Sequence, residues 1–121
     1  MPRILFIDDD LLTLEMYEKI FSLYGYEVFL ADSGLKALDK VNDTQVDLIV
    51  LDMRLPEMDG FELLNRLKSD PSSSGIPKIM TSANPALYSD RAIEAGADYF
   101  ISKPITPEKI EKIFGKNKGE E

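Results

Sequence analysis

The chain has 121 residues, 44% hydrophobic and 30% charged, a size and composition that fit one globular domain able to bury a core without staples. Fourteen Lys and Arg against 22 Asp and Glu leave a net charge of −8, which argues against direct nucleic-acid binding, since phosphate contacts need basic side chains. There is no cysteine, so disulfides and thiolate metal sites are excluded and a reducing cytoplasmic setting is expected; there is no histidine, so the chain supplies no imidazole base, imidazole ligand or phosphohistidine. No stretch reaches the roughly 18 apolar residues of a membrane span, and the N-terminus is too brief for a signal peptide.

In chain order, Ile4-Leu5-Phe6-Ile7 reads as a buried strand that runs into Asp8-Asp9-Asp10. Residues 11–24 have helical spacing, with Leu12, Met16, Ile20 and Leu23 expected on the core face, and Gly25 closes the helix. Tyr17, Phe21 and Tyr24 are read as core or rim residues. Residues 26–30 alternate and form a second strand. Ser33 can cap a second helix carrying Leu35, Leu38 and Val41 inward. Residues 46–51 include the most continuous apolar run, Leu48-Ile49-Val50-Leu51, expected as a central strand covered on both faces.

Asp59 and Glu62 resemble a capping pair for a third helix through Phe61, Leu64 and Leu67. Asp70-Pro71 and the serines after it make a loop. Residues 76–81 form a fourth strand, in which Lys78 is an odd residue for a central position. Asn84-Pro85 starts a helix with a cap and an N1 proline, and Gly96 ends it. Residues 98–101 form a fifth strand. Thr106-Pro107 opens a last helix with Ile110, Ile113 and Phe114 inside, and the charges of residues 108–112 read as a solvated face. The expected organisation is a single domain over residues 1–121, with its core at about 3–114 and a polar, frayed tail at 116–121. Strand and helix alternate five times, which calls for an α/β fold: a parallel sheet between helices on both faces, in three layers.

Ligands of such sheets sit beyond the carboxyl ends of the strands. The residues at those ends are Asp8-Asp9-Asp10, Asp52 and Thr81-Ser82, with Lys103 two residues past the fifth strand. Crowded carboxylates raise one another's pKa unless a cation sits among them, and hard oxygen ligands suit Mg²⁺. A cation, a lysine and a hydroxyl around an aspartate nucleophile are the parts that phosphoryl transfer needs.

Four segments carry a family resemblance: residues 4–10, the run Leu-Asp-Met-Arg-Leu-Pro-Glu-Met-Asp-Gly at 51–60, Ser82-Ala83, and Ile-Ser-Lys-Pro at 101–104. In this order and spacing they resemble the response-regulator receiver family over residues 3 to about 114. The resemblance implies a flavodoxin-like, doubly wound five-stranded sheet of order 2-1-3-4-5 with five helices. It implies Asp52 as phosphoacceptor, and Mg²⁺ held by Asp8, Asp9, Asp52 and the main-chain carbonyl of Arg54. Ser82, thirty residues after Asp52, takes the switch-hydroxyl position, with Thr81 beside it. Lys103 takes the phosphate-binding position before a cis Pro104. Phe100 takes the aromatic switch position, with Tyr99 on the other face of its strand.

The implied function is a phosphorylation-controlled switch of a two-component system. It receives its phosphoryl group from a histidine kinase or histidine phosphotransfer protein, and it changes its helix 4–strand 5–helix 5 surface for a downstream protein or output domain. It is not expected to act as an enzyme beyond its own phosphorylation and dephosphorylation. A stand-alone receiver and a part of a longer protein both fit. Two other readings compete. A small aspartyl-phosphate phosphatase of the haloacid-dehalogenase kind would use Asp8, but Leu12 stands where that motif has Thr or Val, and the acidic pair expected after its lysine is missing. A pseudo-receiver binding module would work without phosphorylation, yet here the acceptor, its acidic partners and the lysine are all present. Taken singly, Asp10 is read as a helix cap, Asp59-Gly60 as a helix start, and Phe100 equally as core packing or a switch.

Overall fold

β-Branched and aliphatic runs flanked by turn residues set five strands, and the helical spacing between them sets the crossovers. The computed structural model describes the backbone of residues 1–119 and the side chains of residues 1–113. Among these the order is β1 (Arg3–Ile7), α1 (Leu11–Leu23), β2 (Glu27–Ala31), α2 (Gly34–Asp43), β3 (Leu48–Asp52), α3 (Gly60–Ser69), β4 (Lys78–Ser82), α4 (Pro85–Glu94), β5 (Tyr99–Ser102) and α5 (Pro107–Gly119). All strand pairs are parallel and the sheet order is 2-1-3-4-5, as the resemblance implied. No described helix is long and apolar enough to cross a membrane.

The sheet is covered on both faces, which is why β1 and β3 read as continuous apolar runs rather than alternating ones. Ile4, Phe6, Leu48, Val50 and Ile79 point to the side of α1 and α5, where they meet Leu14, Tyr17, Phe21 and Ile110. Leu5, Ile7, Ile49, Leu51 and Met80 point to the side of α2, α3 and α4, where they meet Ala37, Val41, Leu63, Leu64, Leu67 and Ala92. On the first side the aromatic rings form a connected set. Phe6 stacks on Tyr17 at 4.4 Å, and Phe21 meets both Phe6 and Tyr26 edge-on at 4.8 and 5.2 Å. The Tyr26 hydroxyl then donates to Glu111 at 2.8 Å, tying the start of β2 to α5. Burial, and then this carboxylate, push the Tyr26 phenol pKa upward.

Several local expectations need correction. The inward face of α1 is Leu14, Tyr17 and Phe21, while Leu12, Met16, Ile20 and Leu23 are exposed. The helix carries two apolar stripes on roughly opposite sides, and the aromatic one docks because Phe6 and Tyr26 offer it ring partners; Tyr24 is outside the core. On α2 the inward residues are Gly34, Ala37 and Val41, with Leu35 turned to solvent. Asp59 accepts from the Glu62 amide at 2.9 Å, but Glu62 pairs with Arg66 instead of reaching back, so half of the capping pair forms. Asn84 occupies the cap position of α4 without a side-chain cap bond, because its backbone (φ −128°, ψ 73°) is not in the capping geometry. Helix α5 continues through residues 116–119, where a frayed tail was expected; Phe114 lies outside the described side chains. Ser33, Asp10 and the two closing glycines behave as expected, with Gly25 and Gly96 at φ +90° and +108°.

Lys78 is 2% exposed in an interior strand, and the fold resolves its oddity. Its ammonium donates to the carbonyls of Ile76 and Ser73 at 2.6 and 2.7 Å, and so staples the 70–77 loop beneath α3. The Ser73 hydroxyl completes the staple by donating to Leu67 O at 2.7 Å. Burial lowers the Lys78 pKa, and the nearby charge of Asp98 opposes that shift. Lys78→Ala removes the stem and leaves the carbonyls without their donor, so it should cost about 3 kcal/mol in a urea titration. Lys78→Met, which refills the volume, should cost roughly half as much; equal losses for both would show that the loop carbonyls, not the packing, carry the whole effect.

Candidate phosphoryl-transfer site

Parallel pairing of β1 with β3, β3 with β4 and β4 with β5 brings four strand ends side by side. Asp8 follows β1, Asp52 ends β3, Ser82 ends β4, and Lys103 follows β5. Carboxylate oxygens of Asp8, Asp9 and Asp52 all lie within 4.8 Å of one another, with Asp8 and Asp52 buried and Asp9 exposed. The Lys103 ammonium bridges the two buried members, at 2.9 Å from Asp8 Oδ2 and 3.2 Å from Asp52 Oδ2. The other oxygens are held from below: Asp8 Oδ1 accepts from the Asp10 amide at 2.9 Å, and Asp52 Oδ1 from the Met53 amide at 2.8 Å. Both carboxylates are therefore oriented before any ligand arrives.

Electrostatics follow from that crowding. Burial first, and then the charge of Asp8, raise the Asp52 pKa; Lys103 and the Met53 amide only partly offset this. Burial alone would depress Lys103, but its hydrogen bond to Asp8 and the two carboxylate charges prevail and raise its pKa. Asp10 stands apart as the α1 cap, as the sequence reading held: its carboxylate accepts from the Thr13 hydroxyl at 2.8 Å and from the Leu12 amide at 3.1 Å.

A cleft of about 240 Å³ opens beside Asp52, lined by Arg54, Ser82, Asn84 and Lys103 on the sheet side and by Leu87 and Tyr88 of α4. Ser82 Oγ accepts from the Asn84 amide at 3.0 Å, so the first turn of α4 hangs on this hydroxyl. Thr81 points through the sheet to the α1 side, because successive strand residues alternate faces. Its hydroxyl is buried with no hydrogen-bond partner among the described residues, and it does not line the cleft. Phe100 is not in the cleft either: it packs half-buried on the α2–α4 side, with Tyr99 on the α1–α5 side. Lys103–Pro104 is cis, as the resemblance implied.

The sequence reading missed Leu87 and Tyr88; their places three and four residues after Asn84 put them on the first turn facing the cap, which was the available signal. It also missed the reason for Gly60. A Cβ there would lie 2.6 Å from Asp52 O and 2.9 Å from Met53 Cα, so the start of α3 can approach the site only without a side chain. Glu57, in the intervening loop, takes the left-handed conformation at φ 67°.

Because the Asp52 pKa is raised in the fold, its carboxylate costs stability above that pKa, and the cost disappears as pH falls towards the unfolded value. In Mg²⁺-free buffer Asp52→Asn should thus be more stable than the parent at pH 7, by about 1 kcal/mol, since it removes one of two neighbouring buried charges. The difference in urea midpoint should shrink towards pH 4. A difference of opposite sign would show that the lysine bridge outweighs burial and repulsion, and a constant one would show that the titration of Asp52 does not set it.

Residues 4–114 match the family described as the response regulator receiver domain. The polar-differentiation response regulator DivK of Brucella anthropi is 35% identical over 117 residues, covering 93% of this chain and 94% of DivK. The DNA-binding dual master transcriptional regulator RpaA of Synechocystis is 35% identical over 111 residues, but that match spans 91% of this chain and only 46% of RpaA. The chain thus spans about half the length of some curated relatives and nearly all of others. Among solved structures, the chemotaxis response regulator CheY4 of Vibrio cholerae superposes with a TM-score of 0.82 at 27% identity, covering 96% of this chain and 98% of CheY4. The receiver domain of the sensor histidine kinase PA1611 of Pseudomonas aeruginosa, described with a magnesium ion coordinated in its active-site cleft, has a TM-score of 0.83 at 26% identity, covering 95% of each chain. The chain belongs to the response regulator receiver domain family, the phosphorylation-controlled switches of two-component signalling.

Proposed function

We propose that Asp52 is the phosphoacceptor of this receiver, that Lys103 and Ser82 hold the transferred phosphoryl group, and that Asp8, Asp9, Asp52 and the Arg54 carbonyl hold Mg²⁺. The observation that carries this reading is the position of Asp52, at a strand end between a lysine and two further carboxylates, beside a cleft wide enough for a phosphoryl group. The donor set fits the cation: it is all oxygen, and its exposed member, Asp9, leaves room for the waters that Mg²⁺ retains. When bound, Mg²⁺ supplies positive charge beside the oxygens of the transferring group.

In the transfer, a carboxylate oxygen of Asp52 forms a bond to phosphorus while the phosphorus–nitrogen bond of a phosphohistidine breaks and its electron pair returns to the imidazole. The donor must be another protein, a histidine kinase or histidine phosphotransfer protein, because this chain has no histidine. Loss of the signal is hydrolysis: water adds to phosphorus, the acyl phosphate bond breaks, and inorganic phosphate leaves the free carboxylate. Asp8 is the weaker candidate for a nucleophile, because Asp52 lines the cleft that would admit a phosphoryl group and Asp8 does not.

Switching follows from Ser82. Its oxygen holds the Asn84 amide, and its own proton is free to turn towards a phosphoryl oxygen on Asp52, drawing the start of α4 with it. Phe100 then repacks, and the surface of α4, β5 and α5 changes for a downstream protein or output domain. This is a population shift in which the acyl phosphate acts as the ligand. The setting of such a relay is cytoplasmic, its turnover is confined to its own phosphate, and no direct contact with nucleic acid is part of it.

The first test is intact mass after incubation with Mg²⁺ and acetyl phosphate. The parent should gain one phosphoryl group and Asp52→Asn none; a gain that survives in Asp52→Asn would move the acceptor to Asp8, and no gain in the parent would favour a pseudo-receiver. Lys103→Ala should remain folded and still lose the phosphate-dependent change in amide exchange over α4, β5 and α5. A Lys103→Ala protein that switches normally would remove the lysine from the mechanism.

A further inference from the structure

Lys109 lies two residues inside α5, on the stretch whose charges read as a solvated face, yet its ammonium is turned back onto the chain that carries Lys103. It donates to Ser102 O at 3.0 Å and to Pro104 O at 2.8 Å, one carbonyl on either side of Lys103. β5 is an edge strand of the sheet, so carbonyls on its outer side have no neighbouring strand to pair with. On the inner side, the Lys103 amide donates to Ser82 O at 3.0 Å. The Lys103 backbone is therefore held from the sheet by β4 and from outside by Lys109.

A cation in the first turn of a helix works against the helix dipole. None of the ion pairs among the described residues includes Lys109, so no carboxylate among them explains its position. Its backbone is itself placed by the Thr106 hydroxyl, which accepts the Lys109 amide at 3.3 Å. What the side chain does contact is the pair of carbonyls that sets the direction in which Lys103 leaves the backbone. That direction matters, since Lys103 must reach Asp8 and Asp52 together, at 2.9 and 3.2 Å. Displacements of about an ångström are enough to slow a positioned reaction severely.

We propose that Lys109 is a positioning residue for Lys103: through Ser102 O and Pro104 O it fixes the β5–α5 connection so that the Lys103 ammonium bridges the phosphorylation site. The proposal rests on the reading of Lys103 as the phosphate-binding lysine, and two arms of one experiment separate the two claims. The first uses no phosphate. Amide exchange at Lys103 and Ile105 should quicken in Lys109→Met relative to amides of β1 and β3, and should return to the parent rate in Lys109→Arg, which keeps the donor.

The second arm follows phosphoryl uptake from acetyl phosphate with Mg²⁺. Lys109→Met should slow it by about threefold to tenfold, the effect expected from losing charge-assisted hydrogen bonds. Lys109→Arg should restore it, and Lys109→Met should add nothing to Lys103→Ala in the double variant. Unchanged exchange in Lys109→Met, or an equal slowing in the presence and absence of Lys103, would overturn the positioning role. A parent protein that takes up no phosphoryl group would refute the acceptor reading instead, and the exchange arm would then decide the position of Lys109 alone.

Discussion

Asp8 and Asp52 are carboxylates taken largely out of water at the ends of adjacent strands, and the Lys103 ammonium bridging them makes that placement tolerable. Desolvating charge is expensive, and a buried pair repays the cost only with good geometry and satisfied lone pairs. Both conditions hold here. Each carboxylate spends one oxygen on the lysine and the other on a backbone amide. Even so, the cluster of Asp8, Asp9, Asp52 and Lys103 carries more negative than positive charge, and burial first, then the charge of Asp8, raise the Asp52 pKa. Three carboxylates around one ammonium form an acidic cluster that could hold a metal ion, whose positive charge would offset the excess.

The remainder of the fold serves to keep those strand ends in register. Two separate cores, one on each face, clamp β1 and β3 between helices, and the central strands are almost wholly apolar until the residue where each meets the site. Close packing of this kind leaves little freedom for a strand to slide. α4 is held more lightly, with Ala92 as its one buried residue, and its first turn depends on a hydroxyl in the cleft. A rigid floor with one loosely seated wall is the mechanical arrangement that a switch needs.

Much of this was legible in the chain itself, because the features concerned are local. Apolar runs ending in Asp8 and Asp52, the Ser33 and Asp59 caps and the closing glycines depend on residues within a turn or two of one another. So do the family segments that implied the sheet order and the cis bond at Pro104. What was not legible depended on how the chain packs, partly through neighbours distant in sequence and partly through side chains that fold back on loops a few residues away. Residue types do not say which of two apolar stripes on α1 meets Phe6 and Tyr26, or that Lys78 turns back onto the loop that precedes it. Lys109 and Glu111 look like solvated charges until β5 and Tyr26 are seen beside them. Asn84 failed as a cap although its residue type was right, because its backbone (φ −128°, ψ 73°) lies outside the capping geometry.

The sheet order 2-1-3-4-5 also constrains when this protein can first become itself during synthesis. β1 is made before the other four strands yet lies inside the sheet, and its second neighbour, β3, ends only at Asp52. The lysine that neutralises Asp8 lies 95 residues further along the chain. Until it emerges, the nascent sheet carries two buried-edge acids with no cation of its own, and non-local closure of this kind is slow. The assembled cluster therefore requires the chain from β1 through Lys103, and no shorter N-terminal piece of it can form the bridge between Asp8 and Asp52.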